Sequence, residues 1–264
     1  MVRTERHGNV VRFIFSNRRS RLVGYSVSTY LVRGVLIDTA FPAVEGDLFQ
    51  ALRPPDLRGV LLTHKHEDHA GNINALARLG IPIGISDETR RAVEAPPPIG
   101  FYRRWTWGSM PPLVTPITPF TPTDLSLVPT PGHCTDHHVV WDSTDDTVFD
   151  ADLFLGVKVR LAHPNEDVRQ TLQSLRRVIA MKPQRLFDGH RGLIKDARGA
   201  LMAKADWLEE TIARIDVLVR AGDDETRIMK AVMGREEFAG YFSGNDYSRR
   251  NFVRSVIASV PGSG

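Results

Sequence analysis

Three histidines and an aspartate fall within six residues, in the run Thr63-His64-Lys65-His66-Glu67-Asp68-His69. The chain has nine histidines in all, so chance scatter does not account for this concentration. The run closes RGVLLT (58–63), a short apolar stretch of the kind that forms a buried strand. At a strand end the chain turns into a loop, where closely spaced side chains can converge on one point. Neutral imidazole nitrogens and carboxylate oxygens are donors that Zn²⁺ and similar divalent ions accept. The run is therefore a candidate metal site at a strand end, weighed against a polar surface loop whose histidines fall together by chance.

Three later pieces repeat the pattern more weakly. Thr130-Pro131-Gly132-His133 puts a histidine after the strand-like LSLVPT. Phe149-Asp150-Ala151-Asp152-Leu153-Phe154 puts carboxylates at the end of TVFD, and Phe187-Asp188-Gly189-His190 ends RLFDGH in a histidine. A glycine or alanine precedes each donor and lets the backbone approach closely. Singly, a strand-end histidine is more often structural than a ligand; the ordered set is not explained that way.

The rest of the chain predicts an alternation of strands and helices. NVVRFIFS, SVSTYLVR and GVLIDT are β-branched, strand-like runs, the last two joined by a hairpin turn at Gly34. AVEGDLFQAL reads as a helix, and HAGNINALARLG (69–80) as one helix closed by Gly80. IPIGIS, LSLVPT, HHVVWD and DTVFD read as further strands. The stretch 165–182 is an amphipathic helix with Asn165 as N-cap and Glu166 and Asp167 in its first turn. From about Lys195 the pattern is helical only.

Residues 96–122 hold eight of the seventeen prolines together with Phe101, Tyr102, Trp105, Trp107 and Phe120. Proline withholds the donors that helices and central strands need, and the aromatics argue against disorder. An ordered, irregular excursion is expected there, with Tyr102, Trp105 and Trp107 lining a substrate pocket. The domain reading is a catalytic domain over 1–195, including this excursion, and a helical C-terminal extension over 196–264. No internal repeat or low-complexity tract interrupts it.

An aspartate after a strand (Asp38), then H-x-H-x-D-H at 64–69, then a histidine, an aspartate and a last histidine together resemble the metallo-β-lactamase superfamily, over about residues 10–195. The resemblance implies an α/β fold, a four-layer αββα sandwich with its site along one edge of the paired sheets. Carried over by position, one metal would take His64, His66 and His133, and the second Asp68, His69 and His190. Asp68 is also the candidate catalytic carboxylate. Asp152 is the expected bridge, because A-D-L-F resembles the family's G-D-x-L/F; Asp150 stays open as the alternative. Asp38 is read as holding a ligand or the loop by hydrogen bonds, which does not exclude a strand-end cap. His137 matches a frequent histidine of T-P-G-H-x-x-x-H members and is placed behind the ligands. Cys134 is read as a bystander, because the cysteine ligand of true β-lactamases falls at the position of Asp152. His138 is read as structural, His163 as part of the turn before a helix, and His7 as near a free end.

The cofactor expectation is two divalent ions, zinc first, with iron or manganese next. Two such ions lower the pKa of a shared water toward about 7, so a dimetal-bound hydroxide serves hydrolysis without a covalent enzyme intermediate. A thiolate leaves without a proton, whereas a nucleotide alkoxide benefits from a general acid. No histidine follows His190 and no large domain is inserted, so thioesters or other activated acyl bonds are expected, as in glyoxalase II. T-P-G-H-x-x-D-H with a helical tail also resembles a β-lactamase-like branch, some of whose members cleave single-stranded RNA; that is the alternative, beside a metal-bound binding protein with little turnover. Leu155 stands where lactonases of this fold carry a tyrosine, which disfavours that activity.

The net charge of +3 is spread over scattered basic pairs, with no run of five. Nucleic acid is therefore not the expected partner; a small-molecule substrate is, and a homodimer is left open. One cysteine cannot form an intrachain disulfide. No stretch approaches the roughly 20 apolar residues of a membrane span, and the first ten residues lack a signal-peptide core. The expectation is a cytoplasmic protein without membrane contact.

Overall fold

The computed structural model describes residues 1–52 and 56–258. Its first sheet has the order β1 (Val2–His7), β2 (Val10–Phe15), β3 (Val27–Val32), β4 (Val35–Ile37), β5 (Gly59–Leu61) and β6 (Ile83–Gly84). The first three pairings are antiparallel and the last two parallel. Val32 pairs with Val35 across a two-residue turn. Arg33 and Gly34 both hold positive φ, 47° and 77°, the geometry that matches strand twist in a tight hairpin.

Helix α1 (Arg18–Leu22) joins β2 to β3, and α2 (Glu45–Ala51) crosses from β4 to β5. The crossover to β6 is two helices, α3 (Glu67–Ala70) and α4 (Ile73–Arg78), where the sequence reads as one. The break has a local cause. At Gly71 a Cβ would stand 2.4 Å from the Pro42 side chain and 2.6 Å from the Ala40 carbonyl, and the Asn72 amide donates to the carbonyls of Thr39 and Phe41. Tertiary contact wins over helix continuity there.

Helix α5 (Asp87–Glu94) precedes the proline-rich stretch. The expectation of an irregular excursion is corrected within that stretch: Phe101–Thr106 forms α6. Its prolines stop at Pro98 and resume at Pro111, which leaves a window for one and a half turns.

The second sheet has the order β11-β10-β9-β8-β7, with β7 (Leu125–Pro129), β8 (His138–Asp142), β9 (Thr147–Ala151), β10 (Arg185–Asp188) and β11 (Gly192–Ile194). Helix α7 (Val168–Ala180) links the parallel pair β9 and β10. Its N-cap is Asp167, whose carboxylate accepts from the amides of Arg169 and Gln170, rather than Asn165. Helices α8 (Ala197–Arg220), α9 (Glu225–Val232), α10 (Phe238–Phe242) and α11 (Arg249–Ala258) follow. None among the described residues is long and apolar enough to cross a membrane.

Alternation along the strands divides their side chains between two faces. Val35, Ile37, Val140, Phe149 and Phe187 meet between the sheets with Tyr30 and Leu61. Their neighbours Leu36 and Val60 face Leu48, Leu76 and Val93 of α2, α4 and α5. Val139, Val148 and Leu186 face Leu172 and Leu175 of α7, and the same core continues through Leu201, Ile215 and Val253 of α8 and α11. The result is helix, sheet, sheet, helix: the expected four-layer αββα sandwich, with the C-terminal helices built into one outer layer.

Candidate metal centre

The C-terminal ends of β4, β5, β7, β9 and β10 meet along one edge of the sandwich. β4 delivers Asp38. β5 delivers His64 and His66, and α3 follows at once with Asp68 and His69. β7 leads to His133, β9 to Asp152 and β10 to His190. Four non-glycine residues of these ends sit in the left-handed region: Asp38 (φ 61°), Ala40 (55°), Ala151 (49°) and Leu155 (49°). Each such residue costs about 1–3 kcal/mol unless its surroundings fix it. Here the fixing contacts are hydrogen bonds: the Leu155 amide donates to Asp188 at 2.6 Å, and the Gly189 amide to the Ala151 carbonyl at 2.8 Å.

The donors fall into two groups, each with its ligand-type atoms within 4.8 Å of one another: His64, His66, His133 and Asp152; and Asp68, His69 and His190. Asp152 faces both. Its Oδ2 lies 3.1 Å from His133 Nε2 and 3.9 Å from His64 Nε2. Its Oδ1 lies 3.2 Å from the Nε2 atoms of His69 and His190. Asp68 Oδ2 is 3.6 Å from His190 Nε2 and 4.0 Å from His69 Nε2.

Asp150 does not reach either group. The left-handed turn at Ala151 breaks the strand alternation, so residues 150 and 152 point to different sides. Asp150 is buried with neither oxygen hydrogen-bonded among the described residues, and burial together with Asp188 pushes its carboxyl well above the usual range.

A layer of partners turns the rings. Asp38 Oδ2 lies 2.7 Å from His69 Nδ1 and its Oδ1 accepts from the Thr63 amide at 2.9 Å. The His190 Nδ1 faces the Ser26 carbonyl at 2.7 Å, and His133 Nδ1 faces Glu166 at 3.4 Å. Each contact leaves Nε2 free for the centre. His137, buried, places its Nδ1 at the Thr130 carbonyl, 3.1 Å, and its Nε2 accepts from the Asp152 amide at 3.2 Å. It therefore holds the bridging candidate from behind.

Burial drives His64 and His66 well below the ordinary imidazole range. Burial also opposes charge on His133, but Glu166 and Asp152 outweigh it and hold that ring up at about 10. Asp152 and Asp68 do the same for His190, to about 9. Carboxylates thus create a demand for positive charge in the centre. Among the described residues, His64 Nε2, His69 Nε2 and Asp152 Oδ1 are buried without a hydrogen-bond partner, an arrangement that is costly unless a cation completes it. The donor types, their spacing and these orphaned atoms fit a divalent ion in each group.

Cys134 belongs to neither group. His138 Nδ1 contacts the Asp136 carbonyl. His7 is not at a loose end: it closes β1, with its ring 5.6 Å from Phe187. His163 precedes the turn before α7, its ring 6.2 Å from His66 and 4.8 Å from Tyr247.

A cleft of about 750 Å³ opens over Asp68, His133, Asp152 and His190. Tyr102 and Trp107 line it. Trp105 does not; it lies beneath the Arg19 guanidinium at 5.9 Å and against Phe242 at 6.3 Å, which claim its ring for packing. Sequence reasoning missed Tyr25, Lys158, Arg160, Arg191 and Tyr247, which also line the cleft. Only the adjacency of Arg191 to His190 could have pointed to any of them. It also missed Lys204 of α8, buried, whose Nζ donates to the carbonyls of Leu153 (2.9 Å) and Phe154. Burial brings its pKa down to about 8.

The model of the Metallo-beta-lactamase superfamily matches residues 22–190. The "Beta-lactamase-like protein 2 homolog" of Drosophila melanogaster is 28% identical over 221 residues, covering 73% of this chain and 68% of the relative. The "Probable metallo-hydrolase YybB" of Bacillus subtilis (strain 168) is 26% identical over 163 residues, 59% of this chain and 74% of the relative. Among solved structures, a metallo-beta-lactamase family protein of Thermus thermophilus aligns with a TM-score of 0.64 at 18% identity, covering 95% of this chain and 92% of its own.

Proposed function

Since the chain belongs to the metallo-beta-lactamase superfamily, we propose that it is a hydrolase that works with two divalent ions, zinc first, on a thioester or other activated acyl bond. The observation that carries the two-ion reading is Asp152, which turns one carboxylate oxygen to each donor group. His64, His66 and His133 would hold one ion, Asp68, His69 and His190 the other, with Asp152 shared. Ions bound there would supply an acidified water and a Lewis acid for the bond under attack.

The protein's own part is orientation. Asp38, Glu166, the Ser26 carbonyl and His137 fix four donors before substrate arrives, so no reorganisation is needed during reaction. Tyr102 and Trp107 offer apolar faces to the acyl group. A thiolate needs no proton to leave, which suits a cleft floor made of ligands. A single cysteine, which leaves no intrachain disulfide to maintain, supports a cytoplasmic setting in this reading.

A second reading, cleavage of single-stranded RNA, is favoured by Lys158, Arg160 and Arg191 in the cleft. One metal-replete preparation decides between them through kcat/KM for S-lactoylglutathione, an acyl-CoA and an RNA oligonucleotide. Thioester turnover lost in His64→Ala supports the acyl reading. RNA cleavage lost in His64→Ala, with thioesters untouched, replaces it.

A further inference from the structure

Lys158, Arg160 and Arg191 share the cleft with the candidate ligands, and among the described residues none of the three makes an ion pair. Apart from Asp68 and Asp152, which face the candidate-ligand histidines, the other charged side chains of the cleft are committed: Arg103 to Glu67 at 2.8 Å, and Glu237 to Arg249. Outside the candidate metal ligands, unpaired charge in the cleft thus lies, among the described residues, on one wall built from the 155–160 loop and residue 191.

That wall is registered to the reaction centre. The Asp188 carboxylate accepts from the Leu155 amide with one oxygen, at 2.6 Å, and from the His190 and Arg191 amides with the other, at 2.8 and 2.7 Å. It ties the loop after Asp152 to the loop of His190. Arg191 Nε then donates to the Leu155 carbonyl, and its guanidinium lies over Gly156. A Cβ there would stand 3.1 Å from Nη2 and 3.3 Å from Cζ, and φ at Gly156 is +133°, so only glycine lets the guanidinium lie so close. The Nε bond fixes the guanidinium on this turn while Arg191 remains part of the cleft lining.

We propose that Lys158, Arg160 and Arg191 form an anion-binding wall that takes a phosphate or carboxylate carried on the thiol side of the substrate. The proposal rests on the acyl-hydrolase reading above. The aromatic lining gives the acyl side an apolar environment, and the cations give the leaving thiol a charged one. Two guanidinium forks and an ammonium suit a phosphate or carboxylate, which pair with Arg in bidentate fashion. These cations alone would also attract RNA, but they occupy one short wall, and the chain's other basic residues occur as scattered pairs rather than a continuing stripe, so the wall suits a single charged handle better than a polymer.

The test is calorimetric binding to the metal-loaded protein of S-ethyl-coenzyme A, S-methylglutathione and a single-stranded RNA oligonucleotide, none of which offers a free thiol to the metals. It compares wild type with the combined Lys158→Ala, Arg160→Ala, Arg191→Ala variant and with Arg191→Lys, all checked by melting temperature. Tight binding of the coenzyme A thioether assigns phosphate, and of the glutathione thioether carboxylate. Either should weaken roughly tenfold or more in the triple variant, and less in Arg191→Lys. The kcat/KM preference for an acyl-CoA over the uncharged N-acetylcysteamine thioester of the same acyl group should fall by a similar factor. Binding of neither thioether, unchanged binding in the triple variant, or binding of the oligonucleotide alone overturns the proposal. Thioethers bound at the wall by a protein inert to every thioester would instead remove the acyl reading and leave the anion wall standing.

Discussion

Asp38 and His69, thirty-one residues apart, meet at 2.7 Å through Oδ2 and Nδ1. Asp38 is also held by the Thr63 amide and hydroxyl, so it is a fixed acceptor rather than a mobile one. Asp38→Asn should cost about 10–100-fold in affinity for the ion held by His69, with the fold retained. Metal titration under a competing chelator measures it; unchanged affinity would mean that His69 needs no orientation.

Asp152→Ala should abolish turnover and loosen both ions, because it deletes the one carboxylate that faces both groups. Asp150→Ala should leave metal content intact, because Asp150 touches no ligand. Elemental analysis of both variants beside wild type, which should carry close to two ions per chain, decides this. A greater metal loss in Asp150→Ala would reverse the assignment.

Trp107 and Trp105 should separate. Trp107 is buried, its ring 4.9 Å from Phe41 and 6.4 Å from His190. Trp107→Ala should cost about 3–5 kcal/mol of stability and raise KM. Trp105→Ala should lower the melting temperature slightly and leave KM alone. A raised KM in Trp105→Ala would place that ring in the substrate site after all.

Arg33 binds Asp124 at 2.7 Å and the buried Asp142 at 2.8 Å, away from the centre. Arg33→Ala should cost about 3 kcal/mol, the usual range for stranding a buried charge. The hydrogen bond from Arg33 holds the Asp124 carboxyl below its ordinary value. A depressed carboxylate stabilises above its unfolded pKa, and that contribution is lost as pH falls through the folded value. The gap between wild type and variant should therefore be full at neutral pH and narrow below about pH 4. A gap independent of pH would remove the ion-pair explanation.

The first part of the candidate ligand set was legible because close spacing at a strand end is a local signal: His64 to His69 can be seen without knowing what packs against what, whereas His133, Asp152 and His190 stood out only through the ordered family motif. The strand runs were legible one by one from their own pattern, whereas the two-sheet architecture was implied by the family resemblance of the ordered motifs. What was not legible depended on distant contacts. The split of the 69–80 helix comes from Pro42 and Thr39, and the removal of Trp105 from the pocket from Arg19 and Phe242. The charged wall exists only because Asp188 joins loops 33 residues apart. Such relations leave no periodicity to read.

Lys204 reaches from α8 to the carbonyls of Leu153 and Phe154, next to Asp152. Read in the order of synthesis, this contact is the late one. Every candidate ligand has been synthesised by residue 190, yet the Asp152 loop lacks this clamp until Lys204 of α8 follows. Synthesis adds about 5–20 residues per second from the N-terminus. The nascent chain therefore passes through an interval in which all the candidate ligands are present and the Asp152 loop is not yet clamped, and metal acquired then would meet a looser site than metal acquired after release.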